Sequence, residues 1–187
     1  MKTLDALRGA LPEYARDLRL NLGTVLTPAG APGLTDEQIW AVALSSAIAA
    51  RNPVFARDIE QLAKLHLDDA HVGGARAAAA IMGLNNIYYR FVHLVGDAEY
   101  GHLPARLRMN VIAQPGIDRI GFELCSLAVS AINGCGACVA AHERQLREHG
   151  VERETVQSAV RIASVVHAVA TVLEYESQVP PSAAAAA

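Results

Sequence analysis

The chain has 187 residues and a formal net charge of −3, and 52% of its residues are hydrophobic while only 5% are aromatic. A chain of this length can bury a core of its own as one domain, and a core built largely from Ala, Val, Leu and Ile favours closely packed helices. The basic residues are scattered along the chain, so we do not expect nucleic acid as a partner.

Two features of the sequence bear on location. The first eight residues carry a charge every few positions and lack the apolar core of a secretory signal. No uncharged apolar run approaches the ~18 residues that a membrane span needs. We therefore expect a cytoplasmic protein without membrane association, in which a cysteine pair is catalytic or metal-binding rather than a structural disulfide.

Helical patterns fill the first half of the chain. Pro12 marks the start of a short helix that would place Tyr14, Leu18 and Leu22 on one face. Thr35, followed three residues later by a glutamine, has the spacing of a capping box ahead of a strongly apolar helix. The elements predicted here are a helix over 11–20, a loop over 27–33, and helices starting at 35, over 54–65 and over 66–91.

The second half continues in the same way. Gly and Pro residues mark a loop over 96–104 and a turn over 114–116. No segment shows a convincing two-residue period, so no strand is predicted and the expected fold class is all-α. The helices predicted in this half are 122–132, 143–149 and 151–175.

An internal repeat relates the two halves. Shifted by 84 positions, residues 38–48 match residues 122–132, and residues 67–72 match residues 151–156, in pattern more than in identity. Only the second copy carries cysteines in this alignment. In this register Arg51, Val54 and Asp58 stand opposite Cys135, Cys138 and His142.

The predicted domain organisation follows from the repeat. Two copies of one helical unit would cover each other's apolar faces and so share a core. We predict a single domain over 1–178, with repeats at about 35–95 and 119–176, and a disordered tail over 179–187.

Most of the residues that can carry chemistry lie between Asn133 and Glu143, where Cys135 and Cys138 form a Cys-x-x-Cys pair. An Asn-Gly break precedes the pair, so a helix starting at about Gly136 would hold both thiols at its N-terminus. The partial positive charge there favours the thiolate, which is the form that attacks a peroxide or a disulfide. The stretch is therefore a candidate redox or metal site.

Two further side chains can serve the thiols. His142 follows Cys138 by four residues, so the imidazole and the sulfur share a helix face and can exchange a proton. Glu123 lies in an otherwise almost wholly apolar run, where a carboxylate needs a partner, and His142 is the obvious one. We predict a relay from Cys138 through His142 to Glu123, which orients the imidazole and accepts its proton.

Other interpretations stay open at this stage. Cys135, Cys138 and His142 could hold zinc in an interaction module, although a closed zinc site needs a fourth ligand that the sequence does not show. Glu123 could instead face solvent at a helix N-terminus. Cys125 is expected to be a small buried hydrophobe.

One aromatic and polar run also stands out. Residues 85–90 have the composition of a pocket lining. The helical spacing of Tyr88 and Phe91 instead favours a place in the core for these two side chains.

Several longer stretches carry a family resemblance. They are residues 11–15, 81–86, 109–116, 122–124 and 130–143. Together they closely resemble the alkyl hydroperoxide reductase AhpD family of the carboxymuconolactone decarboxylase-like superfamily. The likeness covers nearly the whole chain up to about residue 176, which makes it far more specific than a Cys-x-x-Cys motif.

The resemblance implies an all-helical fold of two related halves, a homotrimer, and peroxidase activity fed by dihydrolipoamide. The position of Cys138 matches the family's sulfenic acid-forming cysteine, and that of Cys135 matches its proton donor and disulfide partner. Glu123 and His142 match the family's proton relay. Family members also reduce a partner peroxiredoxin, AhpC, with electrons from a lipoylated 2-oxoacid dehydrogenase component.

One position departs from the family pattern. The well-known members carry a histidine beside the second cysteine, where this chain has Ala137. One member of the relay is therefore missing, while the thiol pair is kept. We predict a thiol-dependent alkyl hydroperoxide reductase with no tightly bound cofactor and no metal. A carboxymuconolactone decarboxylase-like lyase, which needs no cysteine pair, and the zinc-stabilised module are the alternatives.

Overall fold

The computed structural model describes residues 2–179, and all regular secondary structure within them is helical. The predicted all-α class is confirmed for this part of the chain. The predicted disorder of the tail beyond Val179 lies outside the described residues. The helices are α1 Leu4–Gly9, α2 Arg16–Val25, α3 Asp36–Ala49, α4 Pro53–Ala63, α5 Asp69–Leu94, α6 Glu99–His102, α7 Arg119–Ile132, α8 Gly136–Glu148 and α9 Arg153–Gln178, with 3-10 turns at Glu13–Ala15 and Asn110–Ile112.

The N-terminal region differs from the prediction. The sequence pattern does not predict α1, and the helix expected from Pro12 begins as a 3-10 turn, so that α2 starts only at Arg16. A 3-10 turn has a different residue period, which takes Tyr14 out of phase with Leu22. Tyr14 is 67% exposed and its hydroxyl donates to Glu176 at 2.8 Å, whereas Leu22 is fully buried.

Two apolar helices, α3 and α7, form the centre of the bundle, since each packs against α5, against α9 and against the other. α3 begins at the predicted capping box, in which the Thr35 hydroxyl accepts from the backbone N–H of Gln38 and the Gln38 side chain accepts from that of Thr35. α7 is capped by Asp118, and every residue from Gly121 to Ser130 is buried. Burial on all sides of α7 carries Glu123 into the interior.

The long helices α5 and α9 complete the core through small side chains. Ala75 and Ala78 on α5, and Ala159 and Ala163 on α9, are at most 1% exposed, in line with the low aromatic content. α5 begins three residues later than predicted because the Asp68 side chain caps it. The predicted loop over 96–104 also contains the short helix α6.

Helix α9 meets the length and composition of a membrane span. Its apolar window has a mean hydropathy of 1.5, higher than the sequence pattern led us to expect, and half of that window is buried inside the fold. α9 packs against α2, α3 and α7. A helix in the core of a bundle can have the same length and apolar composition, because its apolar residues pack against neighbouring helices.

The helix bounds follow the internal repeat with a change of register. The start and end of α5 and α9 are related by the predicted shift of 84, but α3 begins at residue 36 and α7 at 119, and α4 begins at 53 and α8 at 136. The shift at the cysteine pair is therefore one residue shorter than predicted. The extra residue enters between the start of α8 and the start of α9, because α8 has 13 residues where α4 has 11 and the connection that follows α8 is one residue shorter.

This change corrects the residues that stand opposite the cysteine pair. Asn52, not Arg51, is the counterpart of Cys135, and each caps the helix that follows it. The Asn52 side chain accepts from the N–H three residues on at 2.8 Å, and Cys135 Sγ accepts from the N–H of Cys138 at 3.3 Å. The residues before the caps, Arg51 and Gly134, both have positive φ. The remaining counterparts of Cys138 and His142 are Phe55 and Ile59, in place of the predicted Val54 and Asp58.

Candidate active site

The end of α7 and the start of α8 bring Cys135 and Cys138 together. α7 ends at Ile132, and Gly134 reverses the chain with a φ of +70°, which costs a glycine little. α8 begins at Gly136, the start that the expected placement of the thiols at a helix N-terminus requires, and not at residue 143, where the predicted helix of this part starts. The two cysteines are joined by a disulfide, with Cα atoms 5.3 Å apart. The pair is thus in an oxidised state, and opening it takes two electrons.

The two sulfurs differ in access. Cys135 is 0% exposed, whereas Cys138 is 7% exposed and lines a cavity. Both lie at the N-terminus of α8, where free N–H groups and the helix dipole stabilise a thiolate once the disulfide is reduced. A molecule in the cavity therefore meets Cys138 and not Cys135. The role of Cys138 as the attacking sulfur stays a prediction, and this difference in access favours it.

Glu123 and His142 form a hydrogen-bonded pair between α7 and α8. Nδ1 of His142 lies 2.6 Å from Oε2 of Glu123, and the Glu123 side chain is only 5% exposed. The alternative in which Glu123 faces solvent is therefore wrong. Arg119, one turn earlier on α7, places its Nε 2.9 Å from the other carboxylate oxygen.

These contacts fix the protonation pattern of the pair. Burial is the largest single influence on Glu123 and raises its pKa, but the hydrogen bonds and positive charges of His142 and Arg119 together outweigh it and lower the pKa below the usual 4.5. An ionised carboxylate can only accept hydrogen bonds, so His142 donates from Nδ1 and can take up a proton at Nε2. Nε2 lies 3.3 Å from Sδ of Met82, a weak acceptor for the protonated ring.

A cavity of about 300 Å³ adjoins Cys138. α5 supplies one wall and α8 another, and residues from the segment before α7 close it. Its lining is mostly apolar with a few polar groups, which is typical of a site for a small organic ligand. The lining residues are Met82, Asn85, Tyr89, Met109, Ile112, Ala137, Cys138, Ala141 and His142.

Several residues of this site fall outside the predicted catalytic set, and Arg119, Met82 and Asn85 are the ones closest to its chemistry. Arg119 precedes Glu123 by four residues on one helix, a spacing that was a readable signal for their ion pair. Met82 and Asn85 come from α5, distant in sequence, and only the packing of α5 against α8 brings them to the thiols. Asn85 belongs to the run whose composition indicates a pocket, whereas Phe91, expected in the core, is 48% exposed.

Ala137 lies where the family resemblance predicts a histidine. It borders both the site cavity and a second cavity of about 460 Å³, and Tyr89 borders both as well. The small methyl group therefore leaves the two spaces side by side. From the first repeat, neither Arg51 nor Asp58 lines the site cavity, and Asp58 pairs with Lys2 at 2.9 Å instead.

Cys125 is the third cysteine of the chain. Cys125 is fully buried on α7, as predicted, and burial raises the pKa of its thiol to about 12. Within residues 2–179, no group of three or more His, Cys, Asp or Glu side chains is placed to hold a metal ion.

Comparison with known proteins finds close relatives. The Carboxymuconolactone decarboxylase family model matches residues 98–175, the part that holds the cysteine pair. Alkyl hydroperoxide reductase AhpD of Rhodospirillum centenum is 54% identical over 175 residues, or 94% of this chain and 92% of the relative. The proteins of that name from Streptomyces coelicolor and Maricaulis maris are 50% and 51% identical over 94% of this chain, and 97% and 99% of their own lengths are covered.

Proposed function

Because the chain belongs to the AhpD family of alkyl hydroperoxide reductases, we propose that it reduces organic hydroperoxides to alcohols through the Cys135–Cys138 pair. One observation carries the proposal: a disulfide-forming pair has its outer sulfur, Cys138, in the wall of an apolar cavity that also contains the His142 imidazole. An alkyl hydroperoxide has an apolar body and a polar O–O–H end, and this combination matches the lining.

The first step oxidises Cys138. His142 takes the thiol proton at Nε2 while Glu123 holds Nδ1–H and stabilises the imidazolium. The thiolate attacks the terminal oxygen of the hydroperoxide, so that an S–O bond forms and the O–O bond breaks. The alkoxide takes the proton from His142 and leaves as the alcohol, and Cys138 becomes a sulfenic acid.

The second and third steps return the enzyme to its dithiol form. Cys135 attacks the sulfenic sulfur and gives its proton to the departing hydroxide, which yields the disulfide and water. The observed disulfide supports this step, because it shows that the two sulfurs can bond at the start of α8. Dihydrolipoamide then reduces the disulfide by thiol–disulfide exchange and is itself oxidised to lipoamide.

The electron donor and the partners follow from the family. We propose that the dithiol is carried by a lipoylated 2-oxoacid dehydrogenase component, and that oxidised AhpC is a second substrate of the reduced pair. We place these reactions in the cytoplasm, where the thiol pools maintain reduced cysteines. A disulfide between neighbouring cysteines at a helix start suits such exchange, since one sulfur is open to a cavity.

The proposed assembly is a homotrimer. Large apolar side chains at the end of α5 and in the segment after it are exposed, and an exposed apolar cluster is typical of a surface that another chain covers. The number of copies rests on the family. Light scattering after gel filtration tests it, and a monomeric mass would contradict it. The exposed side chains are Ile87, Phe91, Leu94, Tyr100, Leu103 and Leu107.

A lyase remains the second candidate because the Carboxymuconolactone decarboxylase family model matches residues 98–175. Such a reaction needs no thiol pair. Decarboxylation of a lactone acid that survives complete alkylation of the cysteines would favour the lyase over the reductase.

The deciding experiment follows dihydrolipoamide oxidation by the purified protein with and without an alkyl hydroperoxide. Peroxide-dependent turnover is the expected result. If peroxide formed the disulfide but no turnover followed, the reaction with peroxide would stand and dihydrolipoamide would be excluded as the electron donor. If peroxide produced neither turnover nor a disulfide, the reductase function would be rejected.

A further inference from the structure

Asn85 is a buried polar residue whose side chain has no hydrogen bond within the described residues. It is 6% exposed, and its Oδ1 is buried with no hydrogen-bond partner among the described residues. Its neighbour Asn86 is the opposite case, since its Nδ2 donates to Ser130 at 2.9 Å and its Oδ1 accepts from Asn133 at 3.0 Å. Asn86 is therefore structural, whereas Asn85 keeps unused hydrogen-bonding capacity.

The position of Asn85 indicates what that capacity serves. Asn85 lines the same cavity as Cys138 and His142, and on α5 it shares a face with Met82 and Tyr89. A leucine would fit such a lining without leaving a polar atom unpaired, because burying an amide without a partner is unfavourable. As placed, Oδ1 is closed off from the cavity, and rotation of the amide about its terminal torsion would turn it toward the cavity, where a polar group of a bound molecule can pair with it.

We propose that Asn85 is the residue that binds the hydroperoxide group, which it orients toward Cys138. This inference rests on the proposed reductase function. Of the other lining side chains from α5 and the segment before α7, Met82, Met109 and Ile112 offer contact only to the alkyl part, and the Tyr89 hydroxyl lies 4.0 Å from Sδ of Met109 on a side chain that is 39% exposed. Asn85 is therefore the buried polar group on the α5 wall that is left without a partner and can distinguish the peroxide end from the alkyl end.

The chemistry of the side chain suits both oxygens of the substrate. A primary amide offers an acceptor for the O–H of the hydroperoxide and, after rotation about its terminal torsion, a donor for the alkoxide that leaves. The bonds made and broken are those of the first step above: the terminal oxygen goes to Cys138 and the proton held by His142 goes to the alkoxide. Asn85 exchanges no electrons and no proton.

The test separates peroxide binding from thiol reactivity. Asn85→Leu and Asn85→Ala are reduced, freed of reductant, and mixed with cumene hydroperoxide in a single turnover, with disulfide formation as the readout. Alkylation of Cys138 by iodoacetamide is measured in parallel. We expect the second-order rate with peroxide to fall by about tenfold in both variants, as loss of one hydrogen bond implies, while the alkylation rate stays at the wild-type value.

Two controls make the result decisive. Asn85→Leu removes an unpaired buried polar group, so it should melt no lower than wild type, and Asn85→Ala excludes steric blocking by leucine as the cause. Asn86→Ala should melt lower and slow neither reaction selectively. A wild-type peroxide rate in both Asn85 variants, or an equal loss of peroxide and alkylation rates, would overturn the inference. If the proposed function itself were wrong, the wild-type protein would form no disulfide after the addition of peroxide.

Discussion

Asn52 and Cys135 hold the same position in the two halves of the bundle, where each caps the following helix with its side chain. The first repeat thus shows which contact this position makes in the fold, and the second shows that a cysteine sulfur, here in a disulfide, makes the same contact. The cap and the redox role of Cys135 can therefore be separated by mutation.

Cys135→Asn is expected to keep the cap and lose the disulfide, whereas Cys135→Ala loses both. In reducing conditions Cys135→Asn should match the unfolding free energy of wild type, and Cys135→Ala should lie about 1 kcal/mol lower, the usual cost of a missing N-cap. Urea unfolding measures this. Equal stability of the two variants would show that the side-chain cap contributes nothing to the unfolding free energy. Both variants should lack sustained turnover, because neither can form the disulfide.

Cys138→Ser is expected to abolish peroxide-dependent turnover, because no other cysteine lines the cavity. The rate of dihydrolipoamide oxidation in the presence of peroxide measures this. Cys125→Ala is the matched control, since Cys125 is a buried cysteine on α7 that plays no part in the proposed steps. Activity near the wild-type level in Cys138→Ser would refute the scheme.

Arg119→Ala is expected to shift the pH dependence of the peroxide reaction. Without the guanidinium, burial of Glu123 is opposed by His142 alone, so the pKa of Glu123 rises and the acidic limb of kcat/KM moves to higher pH. Arg119→Lys should restore part of the difference. Arg119 also lies 3.4 Å from the side-chain oxygen of Gln145, so Gln145→Ala serves as a control that keeps the charge and should leave the profile unchanged.

The stability of the protein should fall in acid partly through Glu123. Its pKa is lowered on folding, so its contribution is complete above the usual carboxyl value of 4.5 and is lost as the pH falls through the lower folded value. Glu123→Gln lacks this titration. Urea unfolding at pH values from neutral to acid should therefore show a smaller acid loss in Glu123→Gln than in wild type, and parallel curves would contradict the assignment.

The three thiols should react in a fixed order. Cys138 borders the cavity, Cys135 is enclosed, and burial raises the pKa of the Cys125 thiol to about 12. Iodoacetamide added to the reduced native protein should modify Cys138 first and Cys135 more slowly, and should leave Cys125 free until the chain is unfolded. Mass spectrometry of the peptides reads the order, and early modification of Cys125 would show that α7 opens.

Local spacing within the chain determined much of the site. The Cys-x-x-Cys pair, its Asn-Gly turn and the start of α8 at Gly136 depend on neighbouring residues, and each could be predicted. The contact between Glu123 and His142 was also predictable, because a carboxylate in an apolar run needs a polar partner. The capping box of Thr35 and Gln38 belongs to the same class of local signals.

Contacts between helices decided the rest. Met82 and Asn85 reach the thiols only because α5 packs against α8, and no periodicity within α5 tells which of its faces meets which neighbour. The repeat register was wrong by one residue at the cysteines because an insertion after the start of α8 is visible only where the helix ends are fixed. The sequence by itself determined which groups carry the proposed chemistry, since that depends on residue type and short spacing. Tertiary packing alone decided which groups surround them, since that depends on how distant helices fit together.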